Sequence, residues 1–102
     1  MVPLVILAID DPVKSARYEA AYLNYEQHLI GVAMSLLKDN SLAEDALHDT
    51  FEAIIAADVL PEDTFKQKAL LTTVIKNKAL DMLKHQKFMA DREPSDAQLG
   101  VV

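Results

Sequence analysis

Apolar residues recur at intervals of three or four along three long stretches of this sequence. Such intervals keep side chains on one face of an α-helix, whereas a strand requires alternation. Glycine, which costs about 1 kcal/mol in a helix interior, occurs only twice among the 102 residues. The sequence therefore predicts an all-α fold, a compact bundle of three main helices with a short N-terminal packing segment.

The first stretch predicts a helix over about residues 15–38, and the second predicts one over about residues 41–57. Ser41 and Glu44 have the spacing of a capping box, so we expect Ser41 to cap the second helix. The apolar face of the first helix would consist of Tyr18, Tyr22, Tyr25, Leu29, Val32 and Leu36. That of the second would consist of Ala43, Ala46, Leu47, Phe51, Ile54 and Ile55.

The third stretch predicts a helix that begins near Asp63 or Thr64, both suitable cap residues, and ends near Met89. At about 100° per residue, its two sides differ in character. The apolar side carries Leu71, Val74, Ile75, Ala79 and Met82. The other side carries Thr73, Lys76, Asn77, Lys84 and Lys87, with Leu80 in the middle of this polar stripe.

The length suits one domain, which we divide into an N-terminal packing segment (1–14), a helical domain (15–89) and a tail or truncated interdomain linker (90–102). The opening "MVPLVILAI" lacks the basic residues and cleavage site of a signal peptide and is too short to span a membrane. Cysteine is absent, so neither disulfides nor thiolate metal sites can form. These features favour a cytoplasmic protein without a membrane partner.

Charge is distributed unevenly along the chain, whose formal net charge is −6. Residues 1–65 hold 3 basic and 12 acidic side chains, whereas residues 66–102 hold 7 basic and 4 acidic ones. This asymmetry favours two surfaces with different partners over an accident of composition. The lysines of the third helix fit either a solvated face or a face that contacts nucleic-acid phosphates, and spacing alone does not decide between them.

The sequence contains no recognisable catalytic or cofactor motif. Glu44, His48 and Glu52 follow one another at helical spacing, but no second cluster would complete a metal site. The two glycines, Gly31 and Gly100, are too far apart for a phosphate-binding loop. Serine, histidine and acid do not come together in a nucleophilic arrangement. We therefore expect no enzymatic activity, no metal and no cofactor.

Two motifs, "AEDALHDTF" at residues 43–51 and "VIKNKALDML" at residues 74–83, follow a tyrosine-rich first helix. In this order they resemble conserved region 2 of bacterial RNA polymerase sigma factors, most closely the extracytoplasmic-function type and its clostridial relatives. The resemblance covers roughly residues 15–89. It implies a module for transcription initiation whose partners are the RNA polymerase core and promoter DNA.

The resemblance also implies roles for individual residues. The second helix would bind the coiled coil of the polymerase β′ clamp through Asp45, His48, Asp49, Glu52 and Ile55. The third helix would contact the non-template strand of the promoter minus-ten element through Thr73, Lys76, Asn77, Leu80, Lys84 and Lys87. The preceding loop would capture a flipped-out base through Leu60, Pro61, Glu62, Asp63 and Thr64.

The chain departs from the family pattern in several respects, among them His48 where the family usually has glutamine. It has "LLTTV" at residues 70–74, where the family often has aromatic residues, and acids at Glu62 and Asp63 that would repel phosphates. Nothing after residue 89 resembles region 4, which reads the minus-thirty-five element, so we expect a fragment cut at the interdomain linker. The alternative is a helical interaction domain, a homodimer or a decoy, that does not open DNA. An anti-sigma factor is a further candidate partner.

Overall fold

The computed structural model describes residues 2–98 and the side chains of residues 2–87. Four helices follow one another: α1 (Leu4–Leu7), α2 (Pro12–Leu37), α3 (Asn40–Ala57) and α4 (Thr64–Gln98). The three long helices pack against each other in all pairs, and α1 packs on α2. No strand occurs within residues 2–98, which confirms the predicted all-α bundle. No helix in this part of the chain is long and apolar enough to cross a membrane.

Aspartates, and not the predicted serine, determine where α2 and α3 begin. The Asp11 side chain accepts a hydrogen bond from the backbone N–H of Val13 at 2.9 Å, and α2 starts at Pro12, which has no N–H to leave unsatisfied. The predicted capping box was wrong. Asp39 caps α3 by accepting from the N–H of Leu42 at 3.0 Å, so Ser41 lies inside the first turn.

The C-terminal helix is longer than predicted, since α4 continues to Gln98 and does not end near Met89. Apolar periodicity reports a buried face, so it stops where packing stops, even when the helix continues. Residues 84–87 are all exposed, and the bundle measures 55 Å along its longest axis against 26 and 22 Å across. The end of α4 therefore projects beyond the core. The role of residues 90–102 as a tail or linker stays a prediction, and residues 99–102 lie outside the described part.

The core combines side chains from α1, the three long helices and the loop before α4. At its centre the rings of Tyr22 and Phe51 meet edge to face, with centroids 5.2 Å apart. Burial, with the Glu26 carboxylate close by, raises the pKa of Tyr22 to about 12, so its hydroxyl stays neutral. The buried apolar residues are Ile6, Tyr18, Ala21, Tyr22, Leu29, Ala33, Leu37, Ala43, Ala46, Leu47, Phe51, Ile54, Leu60, Leu71, Ile75 and Ala79.

The residue that ends α3, Asp58, has a left-handed backbone with φ 53° and ψ 53°. Its carboxylate accepts a hydrogen bond from the Tyr18 hydroxyl at 3.1 Å and lies 3.3 Å from the Lys14 ammonium. The Tyr18 hydrogen bond, followed by that from Lys14, lowers the pKa of Asp58 below its ordinary value of 3.8. The charged form of Asp58 therefore helps to hold the α3–α4 connection against α2.

Replacing Asp58 by asparagine is expected to lower the melting temperature slightly at neutral pH. Asparagine tolerates the left-handed backbone equally well, so the change isolates the charge. Because the folded pKa is lowered, this stabilisation is present above pH 3.8 and is lost as the pH falls through the folded pKa. The difference in melting temperature between the two proteins should shrink as the pH falls below 3.8. A difference that stays constant down to the lowest pH at which both proteins fold would contradict the assignment.

Candidate functional site

The outer face of α3 brings together the five residues that the sequence resemblance assigned to polymerase. Positions 45, 48, 49, 52 and 55 recur at helical spacing, while Phe51 and Ile54 point into the core. All five residues are exposed or half-buried: Asp45, His48, Asp49, Glu52 and Ile55. The face is therefore available to a partner, and its central residues are polar.

This α3 face is negatively charged. His48 Nε2 lies 3.2 Å from a Glu52 carboxylate oxygen, and both side chains are about half exposed. Asp45 and Asp49 form no salt bridge with any side chain among residues 2–87. Within that part of the chain, no three histidine, aspartate or glutamate side chains are arranged to hold a metal ion. The face offers carboxylates to a basic partner and an apolar edge at Ile55.

The outer face of α4 carries the second predicted set, and every member is exposed: Thr73, Lys76, Asn77, Leu80, Lys84 and Lys87. Leu71, Ile75 and Ala79 bury the opposite side of the helix. Among the described side chains, none of these lysines pairs with a carboxylate. A shallow depression runs along this face between Asn77 and Lys87 and includes Leu80. Unpaired ammonium groups beside a small apolar surface can hold phosphates and leave room for a base or sugar.

The loop between the two faces, residues 58–63, is held to the core and to α4. Leu60 is buried, with 7% of its surface exposed, so its side chain belongs to the core and does not line a surface pocket. Asp63 caps α4, because its carboxylate accepts from the backbone N–H groups of Phe65 at 2.8 Å and Lys66 at 3.2 Å. Glu62 and Thr64 remain exposed. Of the five predicted loop residues, these two are the exposed ones without a capping role, and Pro61 is half-buried.

Sequence reasoning missed two residues beside this loop. Phe65 is 80% exposed and lies within about 20° of Lys76 around α4. Its spacing from Leu71 and Ile75 puts it off their apolar face, and this spacing could have predicted its exposure from the sequence. Arg17 reaches the loop from α2 and donates to the backbone carbonyls of Leu60 and Pro61. No local pattern could reveal that contact, because it joins residues more than forty positions apart.

The family model described as Sigma-70 region 2 matches residues 21–88. The match covers 68 of the 102 residues and includes all of α3, most of α2 and the part of α4 that carries the exposed lysines. No curated protein and no solved structure matches the chain.

Proposed function

The chain belongs to the sigma-70 region 2 family, and on that premise we propose that it docks on the β′ clamp through α3 and holds the non-template strand against α4. Membership of the family implies a role in binding RNA polymerase and recognising the promoter minus-ten element. The observation that carries the finer proposal is the separation of charge. The α3 face exposes unpaired carboxylates, whereas the α4 face exposes unpaired lysines, in the described part of the chain.

The chemistry of the α3 face suits a basic, helical partner such as the coiled coil of the β′ clamp. Asp45 and Asp49 can pair with arginine or lysine side chains, which gives specificity and speeds association. Ile55, at the end of the same face, is half-buried and can lose its remaining exposed apolar surface to the partner. Docking here leaves α4 uncovered for DNA.

The direct test of docking is a calorimetric titration of the chain into an isolated β′ clamp coiled coil. We expect saturable one-to-one binding. A helical, monomeric sample that releases no heat and does not co-migrate with the coiled coil would refute docking through this clamp element. Circular dichroism of the same sample would show whether the chain was folded during the experiment.

The α4 face suits a DNA strand that polymerase presents. Lys76, Lys84 and Lys87 can hold phosphates, and Asn77 can bond an exposed base edge. Few counterions would be released by so few lysines, and the net charge of −6 opposes association with DNA. The isolated chain should therefore bind DNA weakly, and recognition should require the polymerase complex. Phe65 adds an exposed aromatic surface at the loop end of this face, where an unpaired base can stack.

Reversing the charge at Lys76 and Lys84 is expected to weaken the binding of polymerase-bound chain to an opened promoter strand. On a single strand, each lost phosphate contact should reduce the slope of log affinity against log salt by about 0.7, so the double variant should lose about 1.4. Lys38→Glu makes the same type of change at the end of α2, outside this face, and should leave the slope unchanged. If wild type, the double variant and Lys38→Glu had equal slopes, Lys76 and Lys84 would face solvent and would not contact the strand.

A second function, that of a protein-interaction domain, is favoured by one observation. Leu4, Leu7 and Val13, near the N-terminus, expose 77%, 60% and 72% of their surface. Such side chains can be covered by a second copy of the chain or by a regulator such as an anti-sigma factor. Sedimentation equilibrium discriminates between the functions: a dimer that fails to bind the coiled coil would favour this candidate over polymerase docking.

A further inference from the structure

We propose that Arg17 is a positioning residue that fixes the shape of the α3–α4 loop for contact with an unpaired base. The inference rests on the proposed function, because it assumes that this loop meets the opened promoter strand. It assigns a role to a residue on α2, a helix that carries neither of the two candidate faces. Arg17 acts through the loop backbone and does not itself touch the strand.

Arg17 and Gln67 hold two loop carbonyls from two different helices. Arg17 Nη2 donates to the Leu60 carbonyl at 2.9 Å and to the Pro61 carbonyl at 3.2 Å. Gln67 Nε2, from the buried side of α4, donates to the same Pro61 carbonyl at 2.7 Å. A carbonyl oxygen has two lone pairs, so Pro61 is fully satisfied by these two side chains.

The loop has no backbone turn that would fix these carbonyls without Arg17. Within residues 2–98, no backbone N–H donates to the Leu60 or Pro61 carbonyl. On its α3 side, the loop begins at the left-handed Asp58. On its α4 side, the Tyr25 hydroxyl donates to the Thr64 carbonyl at 3.0 Å. Between these fixed ends, the path of the chain depends on the guanidinium, on the Gln67 amide and on the buried Leu60.

A guanidinium suits this task better than other cations. Its rigid, planar fork holds neighbouring acceptors in one geometry, whereas a lysine ammonium is a single point on a flexible stem. A loop that is already held in its bound shape loses less conformational entropy when a ligand binds to it. With Arg17 in place, the exposed Glu62, Thr64 and Phe65 stand at defined positions at the end of the lysine-bearing face.

The test compares Arg17→Met with Lys38→Met in complex with the polymerase core. Both changes remove one positive charge, but Lys38 lies at the far end of α2 and its side chain forms no salt bridge among the described side chains. The probe is single-stranded DNA with a short randomised segment, selected on the wild-type complex. Affinity is then measured for the selected strand and for versions with an abasic site at each position in turn.

We expect wild type and Lys38→Met to prefer the intact strand over one particular abasic strand by about tenfold. Arg17→Met should lose most of that preference while its affinity for the abasic strands and for polymerase stays within about twofold of wild type. Arg17→Lys should also lose it, because charge without the fork does not hold both carbonyls. In the variants that lose the preference, the backbone amide hydrogens of Val59, Leu60 and Glu62 should exchange with solvent faster than in wild type.

Each contrary result has a separate meaning. A uniform drop for all strands in Arg17→Met would make Arg17 an ordinary phosphate-binding cation, and a drop in polymerase affinity would make it a general support of the fold. If Arg17→Lys kept the full preference for the intact strand, a positive charge alone would suffice to hold the loop. Any of the three would overturn the positioning role. If wild type itself preferred no intact base at any position, the failure would lie with the proposed function of the loop.

Discussion

Reversing the charge of Asp45 and Asp49 together is expected to lower the affinity for the RNA polymerase core by about a hundredfold or more. Two attractive contacts become repulsive, and like charges brought together across an interface cost several kcal/mol. A tenfold loss of affinity corresponds to about 1.4 kcal/mol, so even strong screening leaves a large effect. The measurement is the dissociation constant for polymerase core at low and at high salt, with the difference shrinking as salt rises.

The control for this prediction is the pair Asp10→Lys and Glu19→Lys, which changes the net charge equally. These acids lie before α2 and on α2 and are not part of the α3 face, so they should leave the affinity almost unchanged. Both double variants should keep the helical circular dichroism of the wild type, because none of the four side chains is buried. If the two pairs weakened binding equally, net charge and not the α3 face would explain the effect.

The sequence predicted the parts of the fold that depend on periodicity. Phe51, Leu71 and Ile75 were placed in the core by their spacing and are fully buried. The same spacing correctly placed Leu80 on the outer face, where 37% of its surface is exposed. A helix that packs on one side fixes both its buried and its exposed faces. For this reason the accessibility of the candidate α3 and α4 faces could be predicted.

Features that depend on single local or distant contacts could not be predicted. Ser41 and Asp39 compete to cap the same helix, and the one that wins depends on the path of the chain between α2 and α3. Leu60 is a lone apolar residue in a polar loop, so no periodicity indicated that it enters the core. The Arg17 contact joins distant segments. These are the features that shape the loop, which is why the sequence did not show which of its five predicted residues are exposed.

The tyrosines of α2 connect the two candidate faces through the core. Tyr18 donates to Asp58 at the end of α3, Tyr22 packs on Phe51 in the middle of α3, and Tyr25 donates to the Thr64 carbonyl at the start of α4. One helix thus fixes α3 and α4 relative to each other. Polymerase docked on α3 would therefore determine where α4 presents its lysines, provided that the core stays intact.

Removing the ring of Phe51 is the clearest test of that dependence. Phe51 is fully buried against Tyr22, and a buried phenylalanine replaced by alanine usually costs about 3–5 kcal/mol. Small domains have a total stability of about 5–15 kcal/mol, so Phe51→Ala should leave this chain close to unfolding at ambient temperature. Urea unfolding followed by circular dichroism should show a much lower midpoint, and binding to both polymerase and DNA should fall together.

Phe65→Ala is the matched control, because it makes the same substitution at a ring that is 80% exposed. Its unfolding free energy should stay within about 0.5 kcal/mol of wild type, and polymerase binding should be kept. Only the contact between the loop end of α4 and an unpaired base should weaken. If Phe51→Ala lowered the urea midpoint no further than Phe65→Ala, the Tyr22–Phe51 contact would not be central to the core. The coupling of the two faces through α2 would then lose its physical basis.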